Sequence, residues 1–491
     1  MIKTMALVTI FSCIERLLGF VYRIFLSRVL GAEGVGIYQV SLSVVGLLMT
    51  LTASGIPITV SRLMVKHSSE RNEETSYKTV TAGILFCLVI SVPIVSLLWF
   101  FPDAFSFIFA DERCMSVLRI MLPGIVITSL YAVIRGYFWG KKKFFTYSAI
   151  ELLEEIVMLV AGVILVRKLT DTLSGVKYAS YAVLISYIFS FITAVIFFFI
   201  HKGKFSSPVA ELKPLIRSST PITIMRTTTS VINTLVAVIL PVRLMLTGLT
   251  NSQAISQFGE LTGMSIPLIS IPSTLIGSIA LVLVPELSSN YYTKNYITLR
   301  RNIEEAVKCS VFISSMIIPT FLSMGREIGI ILYDNEQSGI YVSIACLIMF
   351  PMSITMITTS MLNSLNKERK TLLFYLIGAT FLVLSIYFLP KYIGVYALIV
   401  GLFLSYLTTS ILNLILLSKT CKSPPRYLTF IITSALFLIP TALLGYLLKG
   451  ILIPFVGKVV GVIISSLVIV VYQYLFYKIF DVYDVKRLFK K

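Results

Sequence analysis

Seven side chains in this 491-residue sequence sit inside or at the edge of long apolar runs and could do chemistry there: Glu15, Arg16, Arg23, Arg62, Arg226, Asn233 and Glu260. An ionisable group at membrane depth is costly, so it faces a protein interior or a wet cavity and marks a functional site by default. Arg16 and Arg23 are seven residues apart and therefore share a helical face. Two cations on one face repel unless that face meets water or an anion, and an internal pair with Glu15 is the competing arrangement. Arg226, Thr229, Ser230 and Asn233 form a polar stripe at i, i+3, i+4 and i+7, bracketed by Pro221 and Pro241, which predict a helix that bends. Glu260 begins a second stripe through Gly263, Pro267, Ser270, Thr274 and Gly277, in which the small residues also suit close helix packing.

Guanidinium groups bind phosphate through two parallel hydrogen bonds. A cavity with several arginines and few acids favours an anionic ligand, and Arg16, Arg23, Arg226, Asn233 and Arg62 are the expected substrate-binding residues. Glu15 and Glu260 are candidates for ion coupling. Arg135 and Arg62 lie near the ends of their runs, where either can snorkel to the headgroups. Glu151, Glu154 and Glu155 follow the basic turn Lys141–Lys143 and read as a solvated interface.

Enzyme chemistry is not expected. There is no P-loop. A membrane glycosyltransferase needs acidic metal ligands or a general base, a role that Asp481 and Asp484 in the tail do not suit. His67 and His201, the only histidines, read as solvated residues at the ends of apolar runs. The six cysteines form no C-x-x-C pair and read as small apolar fillers. No catalytic residue, metal site or cofactor is expected.

The elements that carry these residues follow from composition. Hydrophobic types make up 57% of the chain and charged residues 13%, against about 25% charged in a soluble domain. That excludes a soluble enzyme, a secreted disulfide scaffold and a disordered protein. At about 20 residues per crossing plus a short connection, the length allows roughly 14 transmembrane helices. Fourteen apolar runs are found, from 5–27 to 452–477. The fold class is all-α and polytopic. The first run has no cleavage signature and reads as a span.

The formal charge of +19 fits the lysine and arginine excess of cytoplasmic loops, and nucleic acid is not an expected partner. Placing the N-terminus inside puts 27 of the 42 Lys and Arg residues on the cytoplasmic side, 11 outside and four within spans. Both termini are therefore expected in the cytoplasm. Ile120-Met121-Leu122-Pro123 recurs as Ile348-Met349-Phe350-Pro351, each followed by a basic turn. An offset of six spans preserves orientation, so the halves read as parallel repeats facing a central site. The expected organisation is a six-helix lobe over 1–201, a second over 202–418, and an appended helix pair with a cytoplasmic tail over 419–491.

The stretches Arg16-Leu17-Leu18-Gly19-Phe20-Val21-Tyr22-Arg23, Ser27-Arg28-Val29-Leu30-Gly31 and Glu33-Gly34-Val35-Gly36-Ile37-Tyr38 resemble the stage V sporulation protein B-like group of the polysaccharide flippases. That group belongs to the multidrug/oligosaccharidyl-lipid/polysaccharide exporter superfamily. Thr220-Pro221 through Arg226, Leu240-Pro241-Val242-Arg243, Leu261 through Pro267 and Val284-Pro285-Glu286 extend the resemblance over most of the first twelve helices. It implies two lobes in a V, a cavity lined by spans 1, 2, 7 and 8, and a lipid-linked, pyrophosphate-bearing sugar as cargo. Related lipid II flippases carry a second arginine where Tyr22 stands here, with Arg23 next door. The expected function is a flippase moving an undecaprenyl-pyrophosphate-linked saccharide across the cytoplasmic membrane by alternating access, in cell-wall, spore-cortex or polysaccharide synthesis. Membrane lipids and the cell-wall synthesis machinery are the implied partners. The competing readings are a small-molecule antiporter of the same fold, which cavity arginines disfavour for cationic drugs, and a non-transporting envelope scaffold.

Overall fold

Why the chain folds into long helices that nevertheless break at defined points is seen in the computed structural model, which describes residues 2–69, 73–166, 171–421 and 427–480. The side chains of 2–7, 73 and 278–285 are not described. Arg71, Arg167, Lys168, Lys422, Arg426, Asp481, Asp484 and the tail lysines lie outside the described residues. Helix α1 (Ile2–Ala53) contains one non-helical residue, Gly31, at φ 67 and ψ −178, a conformation open to glycine. Helix α2 (Ile56–Ser69) follows a break at Ser54–Gly55. Pro57 causes that break: it has no N–H to offer Ala53, and its ring crowds that carbonyl.

The first unit then continues through α3 (Glu73–Phe100), a short 3₁₀ turn at Asp103–Ile108, α4 (Glu112–Gly140), α5 (Phe144–Val166), α6 (Thr172–Ile200), α7 (Val209–Met245) and α8 (Asn251–Gly259). Helix α7 stays one helix through Pro214, Pro221 and Pro241. Two helix starts are capped by aspartates. Asp111 accepts from Arg113 N at 2.8 Å. Asp171 accepts from Ser174 N at 2.9 Å, a bond that holds its carboxyl below the usual carboxylate range.

The run expected as a single eighth span is in pieces. After α8 come a π-helical turn at Glu260–Ser265, α9 (Ile266–Ser270) and α10 (Ser273–Tyr292). Pro267 and Pro272 each remove a backbone donor, and Ser265 Oγ donates to Glu260 O at 2.8 Å inside the widened turn. The second unit adds α11 (Tyr296–Tyr333), α12 (Glu336–Ala345), α13 (Met349–Ser364), α14 (Glu368–Phe388), the short α15 (Pro390–Ile393), α16 (Tyr396–Thr420), α17 (Leu428–Val456) and α18 (Lys458–Ile479).

By contacts the chain divides into Met1–Gly259 and Glu260–Lys491. In the first unit α4 packs on α2, α3 and α6, and α5 on α6; in the second, α13 packs on α10, α11 and α16, and α14 on α16. This recurrence of neighbours is what a repeat requires. Pro123 and Pro351 both lie within helical spans of 29 residues. Helices α17 and α18 pack on each other and on α11, where Tyr477 Oη meets Ser315 Oγ at 2.8 Å and Lys449 pairs with Glu327 at 2.8 Å.

Among the described residues, eleven helical stretches are long and apolar enough to cross a membrane. One of them, Val8–Ser69, is 62 residues long and interrupted, so it supplies two crossings. Adding α5 and the broken 251–292 segment gives a set consistent with fourteen. Exposed leucines, isoleucines and valines along α17 and α18 (Ile432, Leu436, Ile439, Leu443, Ile463 and Leu467 among them) would be unfavourable in water and suit acyl chains.

Candidate functional site

The first unit encloses a cavity of about 500 Å³, within the range that binds an organic ligand. Its wall comes from α1, α4, α5, α6 and α7. Two of the residues expected from sequence lie on it, Glu15 and Arg226. Arg226 is exposed, and its Nη1 donates to Ser54 O at 3.1 Å. The α1–α2 break thus presents a backbone carbonyl to α7. The approach is close because residue 55 is glycine: a Cβ there would overlap the carbonyl of Ser219 and Thr223 Oγ1.

Glu15 is half-buried, and among the described residues its Oε1 has no hydrogen-bond partner. Across the cavity α5 contributes Glu151, Glu154 and Glu155. Their spacing of three and four residues puts them on one helical face. Here the expectation of a solvated interface is overturned: that face packs toward α1 and α6 instead of the headgroups. Arg135 is likewise on the cavity wall, and snorkelling does not describe it. Its Nη1 lies 3.4 Å from Glu151 Oε1, and its guanidinium stacks 5.5 Å over Trp139. Helices α1 and α5 pack through glycines. A Cβ on Gly19 would stand 3.3 Å from Glu155 Oε1, and one on Gly162 would overlap the ring of Tyr22.

Four carboxylates and two guanidiniums therefore line this cavity within the first unit. Arg16 and Arg62 are exposed, as is Asn233, and none of the three is among its lining residues. Arg23 is half-buried and within electrostatic reach of Glu155 and Tyr38. Glu260 opens the second unit, where it is buried and accepts from Asn335 Nδ2 at 3.0 Å. The stripe Arg226–Asn233 does not act as a unit on this wall. Tyr131, Thr128 and Tyr187 are lining residues that the sequence reading did not name. Tyr131 and Arg135, four apart on α4, were the available signal.

Beyond the cavity, His67 is not solvated. It is buried, with Nε2 3.2 Å from Glu211 Oε2, and Thr79 Oγ1 reaches the same carboxylate at 3.5 Å. His201 Nδ1 meets Phe197 O at 2.8 Å, and the His201 carbonyl accepts from Tyr137 Oη at 2.9 Å. All six cysteines are free thiols, five of them buried, as fillers should be. At one end of α4, Arg113 bridges Asp111 at 2.6 Å and Glu33 at 2.7 Å, tying α4 to α1.

These features define a multipass α-helical membrane protein with a charged cavity inside one helical bundle. Its fold is that of known transporters. It superposes on a lipid II flippase MurJ structure with a TM-score of 0.74 at 17% identity, covering 96% of this chain and 99% of that one. A multidrug-resistance MATE family transporter of the MOP superfamily gives 0.71 at 15% identity over 83% of this chain and 94% of that one.

The chain belongs to the polysaccharide biosynthesis protein family, whose pattern matches residues 2–291. It is 22% identical over 346 residues to stage V sporulation protein B of Bacillus subtilis (strain 168), covering 67% of this chain and 66% of that protein's length. It is also 22% identical over 478 residues to lipid II flippase MurJ of the same organism, covering 90% of this chain and 86% of that protein.

Proposed function

We propose that the protein flips an undecaprenyl-pyrophosphate-linked saccharide, of the lipid II or polysaccharide repeat-unit type, from the inner to the outer leaflet. The observation that carries this reading is the similarity to a lipid II flippase along 90% of the chain. The match to a family of polysaccharide biosynthesis points the same way. The placement of Arg226 supports it physically: a guanidinium on the wall of a cavity within a membrane bundle is a group suited to a phosphate anion.

In this reading the polyprenyl tail stays in the bilayer while the headgroup crosses through protein. The lobes 1–201 and 202–418 alternate access, with 419–491 appended and both termini in the cytoplasm. Arg16, Arg23 and Arg226 bind the pyrophosphate, assisted by Asn233 and Arg62. Glu15 and Glu260 are the proposed ion-coupling groups. Cell-wall synthesis enzymes are the proposed neighbours, since they make and consume such a lipid.

The test is reconstitution. Purified protein in liposomes carrying a lipid-linked disaccharide should expose that headgroup to a membrane-impermeant enzyme or lectin on the opposite leaflet, in proportion to inserted protein. No gain over protein-free liposomes, with protein correctly inserted, would reject the proposal.

A further inference from the structure

The cavity wall is built for more than a phosphate. Its four carboxylates, Glu15, Glu151, Glu154 and Glu155, are surplus to the two guanidiniums beside them, and a phosphate alone would be repelled by them. Tyr131 gives a second, independent indication of a ligand. It is 7% exposed, it lines the cavity, and its hydroxyl has no hydrogen-bond partner among the described residues. A buried hydroxyl left unpaired costs free energy that a ligand group can recover.

The wall also says what kind of ligand fits. Among the described residues no three His, Cys, Asp or Glu side chains come together as a group that could hold a metal ion. Three of the glutamates share one face of α5 and Glu15 stands on α1, around a space of about 500 Å³, the size of an organic ligand. Residues carrying acceptors (the carboxylates), donors (Arg135 and Arg226) and a hydroxyl that can do both (Tyr131) line one volume. A polyhydroxylated ring matches that mixture, because each sugar hydroxyl both donates and accepts, and a carboxylate can take two neighbouring hydroxyls at once.

We propose that this cavity is the saccharide subsite of the transported headgroup, with Glu151, Glu154, Glu155 and Tyr131 reading sugar hydroxyls and Arg226 marking its phosphate end. The assignment rests on the flippase reading and deepens it. Arg135 is a positioning residue: it holds Glu151 at 3.4 Å and is itself held over Trp139.

The experiment compares two probes on the full chain in lipid nanodiscs, read as dissociation constants by native mass spectrometry. One is undecaprenyl pyrophosphate, the other the same lipid bearing an N-acetylhexosamine disaccharide. Wild type should bind the glycosylated lipid more tightly. Glu154→Gln and Glu155→Gln should each weaken that binding by about tenfold, the worth of one charge-assisted hydrogen bond, and leave the sugar-free lipid within about twofold. Tyr131→Phe, which removes a single oxygen and preserves packing, should weaken only the glycosylated lipid, by about three- to fivefold. Melting curves matching wild type establish that each variant is folded.

Equal losses for both lipids, or no loss for either, would overturn the assignment. So would a sodium or proton dependence of wild-type binding that the Gln variants abolish while sugar preference persists, because the carboxylates would then be a cation site. If wild type binds neither lipid, the flippase reading falls and takes the subsite with it. If it binds both equally, the subsite falls alone.

Discussion

Replacing Arg226 separates a ligand-binding arginine from a structural one. In the structure its side chain is exposed and donates from Nη1 to Ser54 O at 3.1 Å. A single hydrogen bond in an exposed setting contributes less than about 1 kcal/mol to folding, so Arg226→Ala should be inserted at wild-type abundance and melt within a few degrees of it. If the guanidinium instead holds a phosphate inside the cavity, its removal strips one partner from a desolvated charge pair. That costs about 2–4 kcal/mol, or roughly a 30- to 1,000-fold fall in transport at limiting substrate. Arg226→Lys should fall in between, since lysine keeps the charge and loses the two-pronged geometry. The assay is headgroup translocation in liposomes, normalised to inserted protein. Full transport by Arg226→Ala at normal abundance would refute the reasoning. A drop in abundance matching the drop in transport would refute it equally, because the arginine would then be structural.

Four further outcomes are expected. Gly36→Ala should destabilise the fold by about 1–3 kcal/mol, because a Cβ there would overlap the Ile255 carbonyl and force α1 from α8; Gly46→Ala, with nothing within 4 Å, should be neutral or stabilising, and melting in detergent reads both. Glu211→Ala should cost about 1–3 kcal/mol by removing the buried carboxylate that His67 meets, and a double-mutant cycle with His67→Ala should show coupling; strict additivity would mean the 3.2 Å pair contributes nothing. Arg135→Ala should lower stability or yield by leaving Glu151 without its guanidinium, and adding Glu151→Gln should restore part of the loss, measured by detergent-extracted yield. A tag in the Lys141–Lys143 turn should be reached only from the cytoplasm and one at Thr250 only from outside; labelling at Thr250 that needs permeabilisation would reverse the topology.

What could be read from the sequence was whatever depends on local composition. Apolar runs of membrane length specify helices because an unpaired backbone cannot survive in lipid, and the described helices follow those runs. Pro57 and Pro272 stand beside breaks, but Pro214, Pro221 and Pro241 lie within an unbroken α7, so proline alone does not say where a helix ends. Of the seven polar residues that stand out within the apolar runs, two, Glu15 and Arg226, line the cavity.

The direction in which each helical face points was decided only by tertiary packing. Glu151, Glu154 and Glu155 share a face by spacing alone, but a helix that could turn them to the headgroups turns them to α1 and α6, because Gly19 and Gly162 let α1 approach that closely. Neighbours in sequence part company for the same reason. Glu15 faces the cavity while Arg16, about 100° around the helix, is exposed. His67 reads as a loop residue until α7 brings Glu211 to it across 144 positions. Helix formation is encoded residue by residue. The company a charge keeps is set by contacts between segments far apart in the chain, where small residues, not charged ones, decide which faces can meet.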